Sequence, residues 1–106
     1  MIPFEITVEE FNEWRKTNKP HVLIDVREPQ EFQIANLGGR LVPIRTVPTL
    51  LNELDPEQDI VVHCHHGGRS IMAVEFLRRN GFPNARNLQG GIDKWSERID
   101  PTVPRY

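Results

Sequence analysis

A chain of 106 residues that is 38% apolar and 26% charged suits one soluble globular domain, large enough to bury roughly two-thirds of its unfolded surface. Its net charge of −2 gives no electrostatic reason to expect nucleic acid or an acidic membrane as partner, and no apolar run approaches the ~20 residues needed to span a bilayer. One cysteine excludes an internal disulfide, and Met1-Ile2-Pro3-Phe4-Glu5 lacks the basic start and apolar run of a signal peptide, so the expected location is cytoplasmic.

Thr7-Val8-Glu9-Glu10 carries a capping-box pattern in which Thr7 accepts from the N3 amide and Glu10 reaches back. Val8, Phe11 and Trp14 then share one face, which predicts a helix with Trp14 as a core anchor, stopped by Asn18 and Pro20. His21-Val22-Leu23-Ile24-Asp25-Val26 is too continuously apolar for a one-sided strand and reads as a buried central one. Arg27-Glu28-Pro29-Gln30-Glu31-Phe32 opens a second helix, with Pro29 in its first turn where a missing N–H costs little, and Asn36-Leu37-Gly38-Gly39 ends it. Arg40 to Ile44 is a short extended segment. Thr49 to Leu54 is a third short helix, closed by Asp55-Pro56.

Asp59 to His63 predicts a strand and Ser70 to Asn80 a helix, whose stripe of Met72, Ala73, Phe76 and Leu77 is expected to face the core. Arg78 and Arg79 form its solvated last turn, with docking of an acidic carrier protein as a second use, and Gly81 stops it. Ala85 to Leu88 is a last strand. Gly90-Gly91 then turns into a helix through Ile92, Trp95 and Ile99, with Trp95 in the core, and residues 100–106 form an extended tail. Strands alternating with helices imply βαβ units: one α/β domain over residues 1–106, its sheet mostly parallel and flanked by helices on both faces. Sites in such sheets form at the C-terminal ends of strands.

Cys64 lies at such an end, followed at once by Gly67, Gly68 and a helical pattern. Amides from His65 to Ser70, the positive end of the next helix and the Arg69 cation all favour the ionised thiol, which is the nucleophilic form. Gly67 and Gly68 let the backbone close on the sulfur. The competing assignment is a buried, inert cysteine. His63, Cys64, His65 and His66 invite zinc, but consecutive side chains point different ways and no second ligand pair stands at zinc spacing, so no metal is expected. His65 and His66 are placed on the rim of the site, His63 on the strand face opposite Cys64, and His21 at the surface. Ser70 bonds either backbone, as a cap, or the Cys64 sulfur. Asp25 and Arg27 end the first central strand and are placed as braces for the loop. The plainer alternative pairs Asp25 with backbone amides and Arg27 with Glu31 at i,i+4.

Cys64-His65-His66-Gly67-Gly68-Arg69-Ser70 closely resembles the active-site loop of single-domain rhodanese-like sulfurtransferases. So do Leu23-Ile24-Asp25-Val26-Arg27-Glu28-Pro29 with Glu31-Phe32, and Asn87-Leu88-Gln89-Gly90-Gly91-Ile92 with Trp95. The resemblance runs from about Phe4 to Trp95, with the motifs in the family's order. It departs at Ala35-Asn36-Leu37-Gly38-Gly39-Arg40-Leu41, where many members have Gly-His-Ile followed by Gly-Ala, which leaves the subfamily open.

The resemblance implies a rhodanese-like fold and a two-step reaction without metal or organic cofactor. Cys64 takes a sulfane sulfur from a small thiosulfate-like donor as a persulfide, and cyanide, a thiol or a carrier protein removes it. It also implies that the loop amides and Arg69 stabilise the persulfide, Arg69 helping to hold an anionic donor. Cysteine phosphatases, which this loop also resembles, have one residue more between cysteine and arginine, room for three phosphate oxygens rather than one extra atom. Phosphatase or arsenate reductase chemistry is therefore disfavoured. An interaction module with catalysis lost is the alternative from another class, and the intact Cys64 loop speaks against it.

Overall fold

The computed structural model describes residues 2–106. Its centre is one parallel sheet built from β1 (Glu5–Ile6), β2 (Val22–Asp25), β3 (Arg40–Leu41), β4 (Ile60–His63) and β5 (Ala85–Leu88), in the spatial order β1-β5-β4-β2-β3. β4 runs between β2, with Val22 opposite Ile60 and Asp25 opposite His63, and β5, with Ile60 opposite Ala85. All four of its residues are buried, as a strand covered on both faces requires.

Side-chain alternation along β4 divides the core. Ile60, Val62 and, one step on, Cys64 face a cluster with Val47, Leu50, Ala73, Val74 and Leu77. Val61 faces the other cluster, with Ile6, Phe11, Leu88, Ile92 and Trp95. Helix α1 (Val8–Lys16) and helix α4 (Gly91–Arg98) cover that second face, while helix α3 (Gly68–Arg79) and a 3-10 segment (Ile44–Asn52) cover the first. Helix α2 (Pro29–Ile34) follows β2. The α/β architecture with helices on both faces is the one the strand–helix alternation predicts. Among the described residues no helix is long and apolar enough to cross a membrane.

Several local expectations are corrected. Glu5–Ile6 is a strand, too short for periodicity to reveal, paired with Asn87 and Leu88. Thr7 does cap α1, accepting from the Glu10 amide at 3.0 Å, but the Glu10 carboxylate is taken by Arg86 instead of reaching back. The third helix is a 3-10 segment that starts earlier, at Ile44, and contains Pro48. Pro48 has no N–H for an α-helical ladder, and the Thr46 and Thr49 hydroxyls donate to the carbonyls three residues back, both at 2.7 Å. The buried stripe of α3 is Ser70, Ala73, Val74 and Leu77; Met72 is 56% exposed. Arg78 is no solvated end: it donates to the Ala85, Ile2 and Pro3 carbonyls and lies over the Phe4 ring, clipping the N-terminal segment to β5. Trp14 packs against the second core cluster as expected but is only half-buried, with Lys19 and Arg86 over its ring, and His21, half-buried too, meets Phe11 edge-on.

Candidate active site

Cys64 follows β4 directly and is only 2% exposed. Its sulfur accepts a hydrogen bond from the Gly67 amide at 3.1 Å, and the Ser70 hydroxyl stands 3.4 Å away. Gly67 has φ of 121°, a left-handed conformation that turns its N–H back onto the sulfur, and α3 begins at the next residue. The expected ring of amides is thus, among the described residues, one N–H and one O–H reaching Sγ at the positive end of α3.

A second helix holds the loop from behind. The Ile92 amide donates to the Cys64 carbonyl at 3.0 Å and the Asp93 amide to the His65 carbonyl at 3.1 Å. These otherwise unpaired N–H groups of the first turn of α4 occupy the two carbonyls that would repel a negative sulfur if they faced it. Gly91 permits the approach: a Cβ there would lie 2.5 Å from the His65 oxygen and 2.6 Å from the Cys64 oxygen.

The Ser70 hydroxyl has one proton and three acceptors near it: Sγ, the Gly67 carbonyl at 3.1 Å and, closest, Asn87 Oδ1. Asn87 presents that oxygen because its Nδ2 donates to Glu5 Oε2 at 2.8 Å. Asn87 and Glu5 were given no role in the sequence, although Asn87 opens the Asn87-to-Ile92 motif and, with Arg86, is a polar residue of a strand buried throughout.

Arg69 points to α2, where its guanidinium donates to both Glu31 oxygens at 2.7 and 2.9 Å. That pairing holds the Glu31 carboxyl at about 2, well below its ordinary value. The Tyr106 hydroxyl donates to Glu31 Oε2 and accepts from Arg27 Nη1, both at 2.8 Å. Residues 100–106 are therefore no free extended tail. They turn at Pro101 and Thr102, place Arg105 against Asp93, and stack Tyr106 on His65 with 3.9 Å between ring centroids.

Arg27 does not pair with the Glu31 carboxylate. It grips Asp25 in the interior, Nη2 to Oδ2 at 2.7 Å and Nε to Oδ1 at 2.9 Å, and ties the Ala35 carbonyl at 2.6 Å. Asp25 Oδ2 lies 3.6 Å from Nε2 of His63, whose other nitrogen is 3.3 Å from the Cys64 carbonyl. Burial lowers the His63 pKa, so the ring is neutral and this is no ion pair. Asp25 and Arg27 thus reach the cysteine loop through His63 and Tyr106, without touching the sulfur. His63 lies on the face opposite Cys64, as the alternation predicts.

At the rim, His65 is stacked between His66 and Tyr106, and its pKa is lowered, chiefly by burial. His65, His66 and Asp93 bring possible ligand atoms within 4.8 Å of one another. Face-to-face imidazoles aim their nitrogens along parallel planes instead of at one point, and Arg105 already holds both Asp93 oxygens at 3.0 Å. The donor set does not fit a metal without rearrangement.

A buried thiol at the carboxyl end of a central parallel strand, with an amide donating to it and a hydroxyl within reach, suits covalent chemistry at sulfur. The family model for the rhodanese-like domain matches residues 7–98. The rhodanese-like/PpiC domain-containing protein 12 of Arabidopsis thaliana is 42% identical over 89 residues, 79% of this chain and 30% of that protein. The adenylyltransferase and sulfurtransferase MOCS3-2 of Zea mays is 35% identical over 109 residues, 95% of this chain and 23% of that protein. The chain thus spans less than a third of either relative. The crystal structure of a rhodanese-related protein from Thermoplasma volcanium superposes with a TM-score of 0.81 at 31% identity, covering 92% of this chain and 94% of that one. The chain belongs to the rhodanese-like family.

Proposed function

We propose that this domain is a sulfurtransferase in which Cys64 carries sulfane sulfur as a persulfide. The observation that carries the reading is the Gly67 N–H donating to the buried Cys64 sulfur, with the Ser70 hydroxyl 3.4 Å away and within reach of it. The word sulfurtransferase in the name of the maize relative supports it. The Cys64 thiolate attacks the outer sulfur of a small donor, the donor's S–S bond breaks, and its leaving group keeps the electron pair: sulfite from thiosulfate, a thiolate from a persulfide. An acceptor (cyanide, a thiol or a carrier protein) then attacks the sulfur held on Cys64, which departs as thiolate. No electrons enter or leave the pair of steps, so no cofactor is required. Donors that bond an anionic sulfur stabilise both the thiolate and the persulfide anion.

The test is intact mass after exposure to excess sulfane-sulfur donor. The protein is expected to gain the mass of one sulfur atom and to lose it to cyanide, and Cys64→Ser to do neither while melting as the parent does. Turnover of p-nitrophenyl phosphate without sulfur uptake would overturn the reading. The slight exposure of Cys64 favours a second one, a binding module without catalysis. For that module, Cys64→Ser keeps partner binding and the parent protein takes up no sulfur.

A further inference from the structure

The arginines around the cysteine loop are already matched with carboxylates: Arg27 with Asp25, Arg69 with Glu31, Arg105 with Asp93. Arg69 is the one the loop itself supplies, and it is held in parallel fork geometry, the strong form of this contact. Glu31 is pinned in turn. Besides the two Arg69 nitrogens it accepts from the Glu28 amide at 3.1 Å and from the Tyr106 hydroxyl at 2.8 Å. Arg27 donates to that hydroxyl, which leaves the Tyr106 proton for Glu31. The carboxylate stays ionised at any pH near neutral. His65, its ring neutral for the reason given above, adds no charge at the rim.

We propose that Glu31, by occupying the Arg69 guanidinium, makes the site select singly charged sulfane-sulfur donors, persulfides and thiosulfonates, over the thiosulfate dianion. The inference rests on the sulfurtransferase reading and specifies its donor class. A dianion gains from the loop only what an uncompensated cation supplies, and Arg69 with Glu31 sums to zero. Freeing Arg69 would strand a partly buried carboxylate and break two charge-assisted hydrogen bonds. A donor with one charge needs no such release. For a thiosulfonate, the Cys64 thiolate bonds to the terminal sulfur, the S–S bond breaks, and sulfinate leaves with the electron pair. For a persulfide anion R–S–S⁻ the Cys64 thiolate bonds to the outer sulfur, the S–S bond breaks, and the thiolate RS⁻ leaves with the electron pair.

Methanethiosulfonate is the matched probe, since it is thiosulfate with one charged oxygen replaced by a methyl group. The readout is the ratio of kcat/KM for methanethiosulfonate to that for thiosulfate, in the parent and in Glu31→Gln. The variant is expected to shift the ratio toward thiosulfate by about tenfold, mainly through the KM for thiosulfate, the order expected for one unit charge at a part-exposed site. A merely structural role for Glu31 would lower both donors together and leave the ratio fixed, which overturns the proposal. If Glu31→Gln does not fold, the ionic-strength dependence of the parent's two kcat/KM values is the second measurement: a neutral Arg69–Glu31 pair gives the thiosulfate dianion no steeper a fall with added salt than methanethiosulfonate. A clearly steeper fall for thiosulfate would mark an uncompensated cation and overturn the proposal. Sulfur uptake from both donors with an unmoved ratio sinks donor selection and leaves the persulfide reading standing. Uptake from neither sinks the persulfide reading itself.

Discussion

Ser70 shows how one hydroxyl is made to serve the sulfur. Its proton has Asn87 Oδ1 as nearest acceptor, and Asn87 is held in that orientation by Glu5. When Cys64 is ionised, the anionic sulfur competes better for the same proton, because hydrogen bonds to charged acceptors are worth about 1.5–3 kcal/mol against 0.5–1.5 for neutral ones. Ser70→Ala is therefore expected to lower kcat/KM for sulfur transfer by roughly 10- to 100-fold, and Ser70→Thr, which keeps the hydroxyl, to recover much of it. Stopped-flow transfer kinetics with a melting curve for each variant decides this. Full activity in Ser70→Ala would assign the proton to Asn87 throughout. That Cys64, Gly67 and Ser70 lie together was legible in the sequence because the loop is contiguous, whereas Arg69, read as a cation for the thiolate and its donor, pairs its guanidinium with Glu31. The partners were not legible: Glu31 is 38 positions from Arg69, Asn87 is 17 from Ser70, and Glu31 is 75 from Tyr106. Periodicity says which face a side chain takes, but not which side chain it meets across the sheet.

The elements that hold the loop are two helix starts, and α4 does its part through backbone alone. Gly91 sits at φ of 64° with its missing Cβ aimed at the Cys64 and His65 carbonyls. Gly91→Ala meets both the left-handed penalty and a backbone collision, so it is expected to cost at least about 1–3 kcal/mol and to loosen the cysteine loop. Gly38, at φ of 83° with nothing within 4 Å of its Cβ position, supplies the control, for which Gly38→Ala should show the conformational penalty alone, about 1 kcal/mol. Chemical denaturation of the two variants, with alkylation rates of Cys64, separates collision from strain. Equal losses would mean that α4 shifts freely and does not position the loop. At this scale the sequence revealed α1, α3, α4 and the strand–helix alternation, since apolar spacing reports them directly. Met72 departs from the predicted stripe because apolar character does not fix burial: Ala73, Val74 and Leu77 already fill the core-facing side of α3. The Ile44–Asn52 segment was misread because its short-range pattern is set by threonine hydroxyls and Pro48, not by apolar spacing.

Over the whole molecule, the buried polar groups make stability depend on pH in two separate windows. His63 is fully buried where β4 ends, and burial lowers its pKa below the ordinary 6.5. The native state keeps the ring neutral, whereas the unfolded chain takes up the proton. Stability is thus complete above about pH 6.5 and falls as pH drops below it, with a limiting slope of about 1.4 kcal/mol per pH unit for one proton. His65, lowered chiefly by burial as well, adds to the same limb. Glu31 governs the second window. Its carboxyl is lowered from 4.5 to about 2 by Arg69, so its contribution is present above 4.5 and is lost as pH falls toward 2. His63→Asn should shrink the difference in unfolding free energy between about pH 7 and about pH 5.5 without changing the loss below 4.5, while Glu31→Gln should do the reverse. Urea titrations across the range read both. If His63→Asn keeps the parent's full difference between the two higher pH values, the proton taken up on unfolding belongs to another group, and the neutral imidazole behind the cysteine loop is not what sets the acid limb.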